Sequence, residues 1–316
     1  MLRKVKLEQA VGMVLGHDVT KVIPGKFKGP LFRRGHVIRE EDIPEFLNIG
    51  KEHIYVMELE KGEVHEEEAA VRIANAIGGA GIEFSQPKEG RVNLIAGIQG
   101  LLKINVKLLK KINSLGEILV ATLHDNTVCY PDMKVAGTKI APLFTTEAKV
   151  AGVEDICRKS GKVVEIKPFQ KKKVGVVITG NEVYKGIIRD SFGEVIGKKC
   201  EALGSAVNYR LIVPDDAKKI AQAVREAKTG GSEVIVVCGG LSVDPDDATV
   251  EGVRKSGASI ISYGAPVMPG AMFLYAMLDN VPVLGAPAAV SHNTSTIFDL
   301  ILPRVLCEET IRREEI

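Results

Sequence analysis

Two short runs, Val174-Gly175-Val176-Val177-Ile178 and Val234-Ile235-Val236-Val237-Cys238, constrain the fold of this chain more than any other feature. Each is apolar throughout rather than at alternate positions, as in a strand buried on both faces. Such strands belong to a parallel sheet covered by helices on either side, and in an open sheet of that kind ligands bind at the carboxyl ends of the strands. A site is therefore expected on the two loops that follow, Thr179-Gly180-Asn181-Glu182 and the stretch from Gly239 to Asp247.

The surrounding segments extend the same pattern. Hydrophobic periodicity predicts a helix over 192–203, a strand over 207–213, a helix over 217–228, a short helix over 249–255 and a strand over 259–263, which is the alternation of β-α-β units. Apolar runs at 273–278 and 281–284 flank Asp279-Asn280, a two-residue connection suited to a hairpin, and a closing helix is expected over 291–302. Polarity rises at 168–173, the best linker in the chain. The expected organisation is an α+β N-terminal region over 1–172, of one or two subdomains, followed by a three-layer α/β/α domain with a mostly parallel sheet over 173–316.

The N-terminal region reads as strands near 12–15, 36–38, 53–57, 92–96, 118–122 and 163–166. Helices are expected near 39–47, 66–77, 106–112 and 147–159, and an extended segment over 134–142 is broken by a tight turn at Gly137. Glu66-Glu67-Glu68 reads as a solvated helix start, and His124-Asp125-Asn126 as a turn.

Composition narrows the function. With 42 basic against 40 acidic side chains the net charge is +2, which gives no global reason for a nucleic-acid partner. No run approaches the roughly 18 apolar residues of a membrane span, and the N-terminus lacks a signal peptide's apolar core, so a cytoplasmic location is expected. The five cysteines are scattered without a C-x-x-C pair, and the six histidines are dispersed, an arrangement that suits packing rather than zinc binding.

Gly239-Gly240 directly after a buried strand lets the backbone turn without Cβ clashes and direct N–H groups at a phosphate or carboxylate. Ser242, Asp244, Asp246 and Asp247 follow within seven residues. Together with Glu182 these carboxylates would repel one another unless a cation sat among them, and Mg²⁺ with a substrate phosphate would meet that need, with Glu182, Asp244 and Asp247 as ligands. Asp246 or Asp247 is also placed to cap the helix that contains Thr249. Ser191 and Glu194 have the spacing of a capping box, which leaves Asp190 unexplained, and Asp215-Asp216 opens the next helix as a cap. Pro269-Gly270 has the form of a tight turn.

Taken in order, these residues resemble the molybdopterin-binding (MoaB/MogA/MoeA-like) domain family of molybdenum cofactor biosynthesis. That domain is shared by molybdopterin adenylyltransferases, molybdopterin molybdotransferases and gephyrin, with a more distant likeness to CinA nucleotide hydrolases. The carriers are Thr179 to Glu182 for T-G-[DN]-E, Asp190-Ser191, Val213-Pro214-Asp215-Asp216 for V-x-D-D, Gly239 to Asp247 for G-G-x-S-x-x-x-x-D, and Pro269-Gly270. Departures are Asp244 and Phe192 in place of a glycine and an asparagine, Ala271-Met272 in place of a K-P pair, and Ala286 to Val290 in place of L-P-G-N-P.

The resemblance implies binding of molybdopterin or its adenylated form, and molybdate where metal is inserted. Asp247 and Glu182 would organise Mg²⁺ and the reacting phosphate. Gly239, Gly240 and Ser242 would cradle that phosphate, with Thr179, Gly180, Asn181, Asp190, Ser191, Asp216, Pro269 and Gly270 as further contacts. Related domains self-associate, so a dimer is expected. A transferase, a carrier without turnover and a CinA-like nucleotide pyrophosphatase all remain open at this point.

Overall fold

The computed structural model describes residues 2–23, 27–57, 60–242 and 247–316. The chain divides into two compact units. One comprises Met1–Gly97, Lys103–Asp125 and Pro131–Glu165, the other Ile98–Leu102, Asn126–Tyr130 and Ile166–Ile316.

The first unit is built from small antiparallel sheets. His53–Met57 pairs with Leu2–Lys6 on one side and Val14–Leu15 on the other, over a core of Val5, Leu15, Phe46, Ile54 and Val56. A four-stranded sheet runs in the order Ile118–Thr122, Lys134–Ile140, Arg91–Ala96, Ile82–Phe84. The helix Glu66–Ile77 packs on its two middle strands through Ala69, Ala70, Ile73 and Ile77, the i, i+3, i+4 face expected from sequence. Arg72, on another face of this helix, donates to both Glu147 and Glu154 of the helix Glu147–Ser160.

Four expectations change in this unit, the first being that 36–38 forms no strand, only an isolated bridge from Val37 to Val14. Lys134–Ile140 is one continuous strand with no turn at Gly137, because ladders on both sides hold it: Gly137 lies opposite Ala121 on one neighbour and Asn93 on the other. The 39–47 helix starts as a 3₁₀ turn, Glu40–Asp42, before the α-helix Ile43–Asn48. The acidic helix start is not solvated throughout, since Glu66 is only 8% exposed. One edge of the four-stranded sheet is closed locally: Asn113 Nδ2 donates to Val120 O and its Oδ1 accepts from Val120 N–H, both at 2.9 Å.

In the second unit the strands are β1 (Lys173–Thr179), β2 (Ala206–Val213), β3 (Val234–Cys238), β4 (Ser259–Tyr263), β5 (Leu274–Leu278) and β6 (Val281–Ala286), in the order β2-β1-β3-β6-β5-β4. The first four are parallel; β5 is antiparallel to β6, and β4 to β5. The helices are α1 (Asn181–Tyr184), α2 (Phe192–Ala202), α3 (Ala217–Thr229), α4 (Thr249–Lys255) and α5 (Ile297–Leu306).

Alternation along β1 and β3 sorts the core into two layers. Val174, Val176, Ile178, Val234 and Val236 pack with Ile196 and Cys200 of α2 and Phe298, Ile301 and Leu302 of α5. Val177, Ile235 and Val237 face the other way, onto Ile220, Val224 and Ala227 of α3 and Val253 of α4. Each such aliphatic side chain removed from water contributes about 1.5–3 kcal/mol, so the sheet is fixed from both sides. The continuous apolar runs thus have the cause read from them.

The closing helix starts at Ile297 rather than near 291. Thr296 accepts from Phe298 N–H at 3.2 Å while Asp299 accepts from Thr296 N–H at 2.8 Å, a capping box that sets the start. Ala288–Ser291 is a separate 3₁₀ turn. All five cysteines are buried and none forms a disulfide, and burial pushes the Cys200 thiol up to about 12, as suits packing residues. Among the described residues no helix is long and apolar enough to cross a membrane.

Candidate functional site at the carboxyl ends of the strands

The loop after β3 is held by a relay of hydroxyls. Thr179 Oγ1 lies 2.9 Å from Thr249 Oγ1, which donates to Gly239 O at 2.8 Å. Both threonines are buried, so the end of β1, the loop after β3 and the start of α4 share one hydrogen-bond chain. Gly239 and Gly240 have φ of +92° and +54°. A Cβ at Gly239 would overlap the Thr179 carbonyl oxygen, and one at Gly240 would lie 2.7 Å from Thr249 Oγ1. Only glycine satisfies both the left-handed backbone and the close approach.

Tyr263, at the end of β4, completes the clamp by donating to Leu241 O at 2.9 Å, with Ser242 O at 3.2 Å. Burial raises its phenol pKa, with the Asp247 charge adding to the effect. The side chains therefore secure the loop carbonyls. Among the described residues neither Leu241 N–H nor Ser242 N–H donates a hydrogen bond.

A cleft of about 280 Å³ opens on this loop, lined by Gly239, Gly240, Ser242 and Asp247 on one side and by Gly270 and Pro287 among the residues opposite. Asp247 Oδ2 is buried without a hydrogen-bond partner among the described residues. Leaving a buried acceptor unsatisfied costs about 1–3 kcal/mol, more for a charge, unless a ligand supplies the missing donor or a cation. Gly270, at φ +111°, packs against Pro287, Thr296 and Ile297, where a Cβ would be crowded at 3.1–3.3 Å. Pro269 follows a cis peptide bond from Met268.

The remaining sequence-derived residues divide by position. Thr179 lies beneath the loop; Gly180, Asn181 and Glu182 sit at the neighbouring strand end, outside the residues that line the cleft, with Asn181 and Glu182 exposed. Asp216 is the α3 cap, accepting from Lys218 and Lys219 N–H at 2.8 and 3.0 Å, which lowers its pKa. Its neighbour Asp215 turns to the site instead: Oδ2 accepts from Asn181 N–H at 2.9 Å, and Oδ1 would lie 3.3 Å from a Cβ at Gly240.

The capping box read at Ser191 and Glu194 does not form. Ser191 makes no capping bond, Glu194 pairs with Lys198, and Asp190 caps α2 by accepting from Phe192 N–H at 2.8 Å and Gly193 N–H at 3.2 Å, with Arg210 as its ion-pair partner. The carboxylate one residue earlier in sequence is the cap, held in place by its ion pair with Arg210. Asp244 and Asp246 lie outside the described residues. Among the described residues no group of three or more His, Cys, Asp or Glu side chains is placed to hold a metal ion. Glu182 and Asp247 therefore do not form such a group by themselves. Tyr263, Thr249 and Asp215 were not singled out as site residues from sequence. They act through contacts distant in the chain; no local motif marks Tyr263 or Thr249, and Asp215 lies in the V-x-D-D match, where Asp216 is the expected site residue.

A glycine turn with secured carbonyls beside an unsatisfied carboxylate lies at the carboxyl ends of parallel strands, the position at which open α/β domains bind their ligands. Residues 175–306 match the family model described as a probable molybdopterin binding domain. Residues 4–58 match a domain of unknown function (DUF8806). A molybdopterin adenylyltransferase of Pyrococcus furiosus is 33% identical over 92 residues, covering 29% of this chain and 54% of that protein. A protein of Saccharolobus islandicus is 38% identical over 81 residues, 26% of this chain and 31% of that one. A CinA-like protein of Citrifermentans bemidjiense is 34% identical over 84 residues, 27% and 20% of the two chains. The chain thus spans about half or less of the length of these curated relatives.

Proposed function

We propose that the second unit binds molybdopterin or its adenylated form during molybdenum cofactor assembly, with the ligand's phosphate on the Gly239-Gly240 loop. The observation that carries this reading is the buried, partnerless Asp247 Oδ2 in the cleft on that loop. The match of residues 175–306 to the molybdopterin-binding family supplies the ligand class.

In this reading the loop N–H groups and Ser242 hold the phosphate while Tyr263 and the Thr179–Thr249 pair keep the loop from yielding. Positioning and fixed dipoles are the main contributions a protein makes to phosphoryl transfer, so the same cradle would serve a molybdotransferase or an adenylyltransferase. A Mg²⁺ ion suits one carboxylate plus substrate phosphate, a description that Asp247 fits, and when bound it would neutralise phosphate charge. The reading includes a cytoplasmic protein that works as a homodimer.

The test is titration of the purified chain with molybdopterin and with adenylated molybdopterin, each with and without Mg²⁺ and molybdate, while product is followed by mass spectrometry. Binding with turnover that Asp247→Asn lowers at least 100-fold establishes the transferase, since removing one electrostatic stabiliser typically costs 10²–10³ in rate. Binding without turnover leaves a carrier, and failure to bind either form removes the proposal.

A further inference from the structure

The first unit holds a second unsatisfied carboxylate, in a cleft of about 590 Å³ lined among others by Arg33, Arg34, Glu66, Glu67, Glu89 and Lys139. Glu66 is 8% exposed and forms the first residue of the twelve-residue helix Glu66–Ile77. Among the described residues its carboxylate has no hydrogen-bond or ion-pair partner. Its surroundings pack closely on it. Gly35 and Gly90 stand over it with φ of +93° and +67°; a Cβ at Gly90 would overlap the carboxyl group, and one at Gly35 would lie 3.4 Å from Oε1.

The residue before it is fixed just as firmly. His65 Nε2 donates to Gly35 O at 2.9 Å and Nδ1 accepts from Glu67 N–H at 3.3 Å, so one neutral tautomer satisfies both bonds. Burial lowers the His65 pKa in keeping with that. Burial likewise raises the pKa of Glu66, with Lys139 opposing the shift and Glu67 and Glu89 adding to it.

Cations ring the same opening. Lys139 makes no hydrogen bond or ion pair among the described residues. Among the described residues Arg33 makes only a loose, exposed pair with Glu89 at 3.7 Å, and the head group of Arg34 meets only Met57 Sδ, at 3.9 Å. Exposed pairs of this kind contribute little and exchange readily for a better anion. A carboxylate at the floor and free cations above it ask for a ligand with a donor at one end and an anion at the other. The volume lies within the range of small-molecule sites.

We infer that this cleft binds a purine nucleoside monophosphate, the base N–H donors on Glu66 and the phosphate on Lys139 and Arg33. Guanine is the better base, because its adjacent N–H and NH₂ donors match the two oxygens of one carboxylate. The inference is independent of the reading given to residues 175–306.

The experiment is calorimetric titration of the full chain with GMP, guanosine and orthophosphate, repeated for Glu66→Gln and Lys139→Met. GMP should bind, with guanosine and orthophosphate each at least about tenfold weaker. Glu66→Gln should weaken GMP and guanosine about tenfold or more, and Lys139→Met should weaken GMP while leaving guanosine unchanged. Lys139 is half-buried and unpartnered, so that variant folds and keeps the test decisive. Absence of GMP binding, orthophosphate binding as tightly as GMP, or unchanged GMP affinity in both variants would overturn the inference.

Discussion

The two units each bury an unsatisfied carboxylate oxygen or group, but they arrive at it differently. In the second unit topology dictates the place: four parallel strands end together, and the loop after β3 is tied to its neighbours by Thr179, Thr249 and Tyr263. In the first unit several short antiparallel sheets provide no common strand end, and Glu66 reaches its cleft beneath two glycines whose missing Cβ makes room for its carboxyl group. A parallel sheet announces its site through connectivity; an antiparallel assembly shows it only through an accounting of buried polar groups.

The largest effect expected of that difference is at Gly239. Gly239→Ala forces a left-handed residue onto a backbone oxygen and should destabilise the chain by about 3 kcal/mol or more in denaturant unfolding. The matched change Gly137→Ala, whose nearest contact would be an ordinary 3.6 Å, should stay within about 0.5 kcal/mol. Equal costs at the two positions would break the comparison.

A smaller loss is expected at Thr249→Val, which keeps the shape and removes the hydroxyl shared by Thr179 and Gly239 O. The expected cost is about 1–3 kcal/mol by the same measurement, because two buried groups lose a partner. A neutral result would mean that the relay does not hold the loop.

Glu66→Gln should act in the opposite direction and by the smallest amount, stabilising the unliganded chain at pH 7 by about 1 kcal/mol. A carboxyl whose folded pKa is raised binds more protons folded than unfolded, so stability falls as pH rises through its titration. The gain from Glu66→Gln should therefore be present near neutrality, shrink as pH falls through the raised titration of Glu66, and be gone once pH is below the ordinary carboxylate range. A gain that persists in acid would show that repacking, not charge, is responsible.

The same contrast governs what could be read from the chain itself. The central strands of the second unit are legible because burial on both faces leaves unbroken runs such as 234–238, and Gly239-Gly240 with Asp247 follows from where those runs stop, whereas the single turn of α1 at Asn181–Tyr184 reads from sequence as loop. Asp190 and Asp215 were harder. Capping and site duties fall on adjacent residues in both places, and only tertiary partners, Arg210 and the Asn181 N–H, separate them. In the first unit, strands such as Leu2–Lys6 and Phe27–Phe32 carry too many lysines and glycines to show an alternating pattern, and Glu66 shares its acidic run with the exposed Glu68. Pairing with neighbours, not propensity, makes those strands.

The amide of Asn113 bears on how copies of the chain can meet. By offering one donor and one acceptor to Val120 it stands in for a single peptide unit of an absent neighbour, so the row of open backbone groups along Ile118–Thr122 is interrupted at its midpoint. A second chain laid along that edge would find no continuous register to extend. Extension of the sheet along that edge is thereby blocked by one side chain.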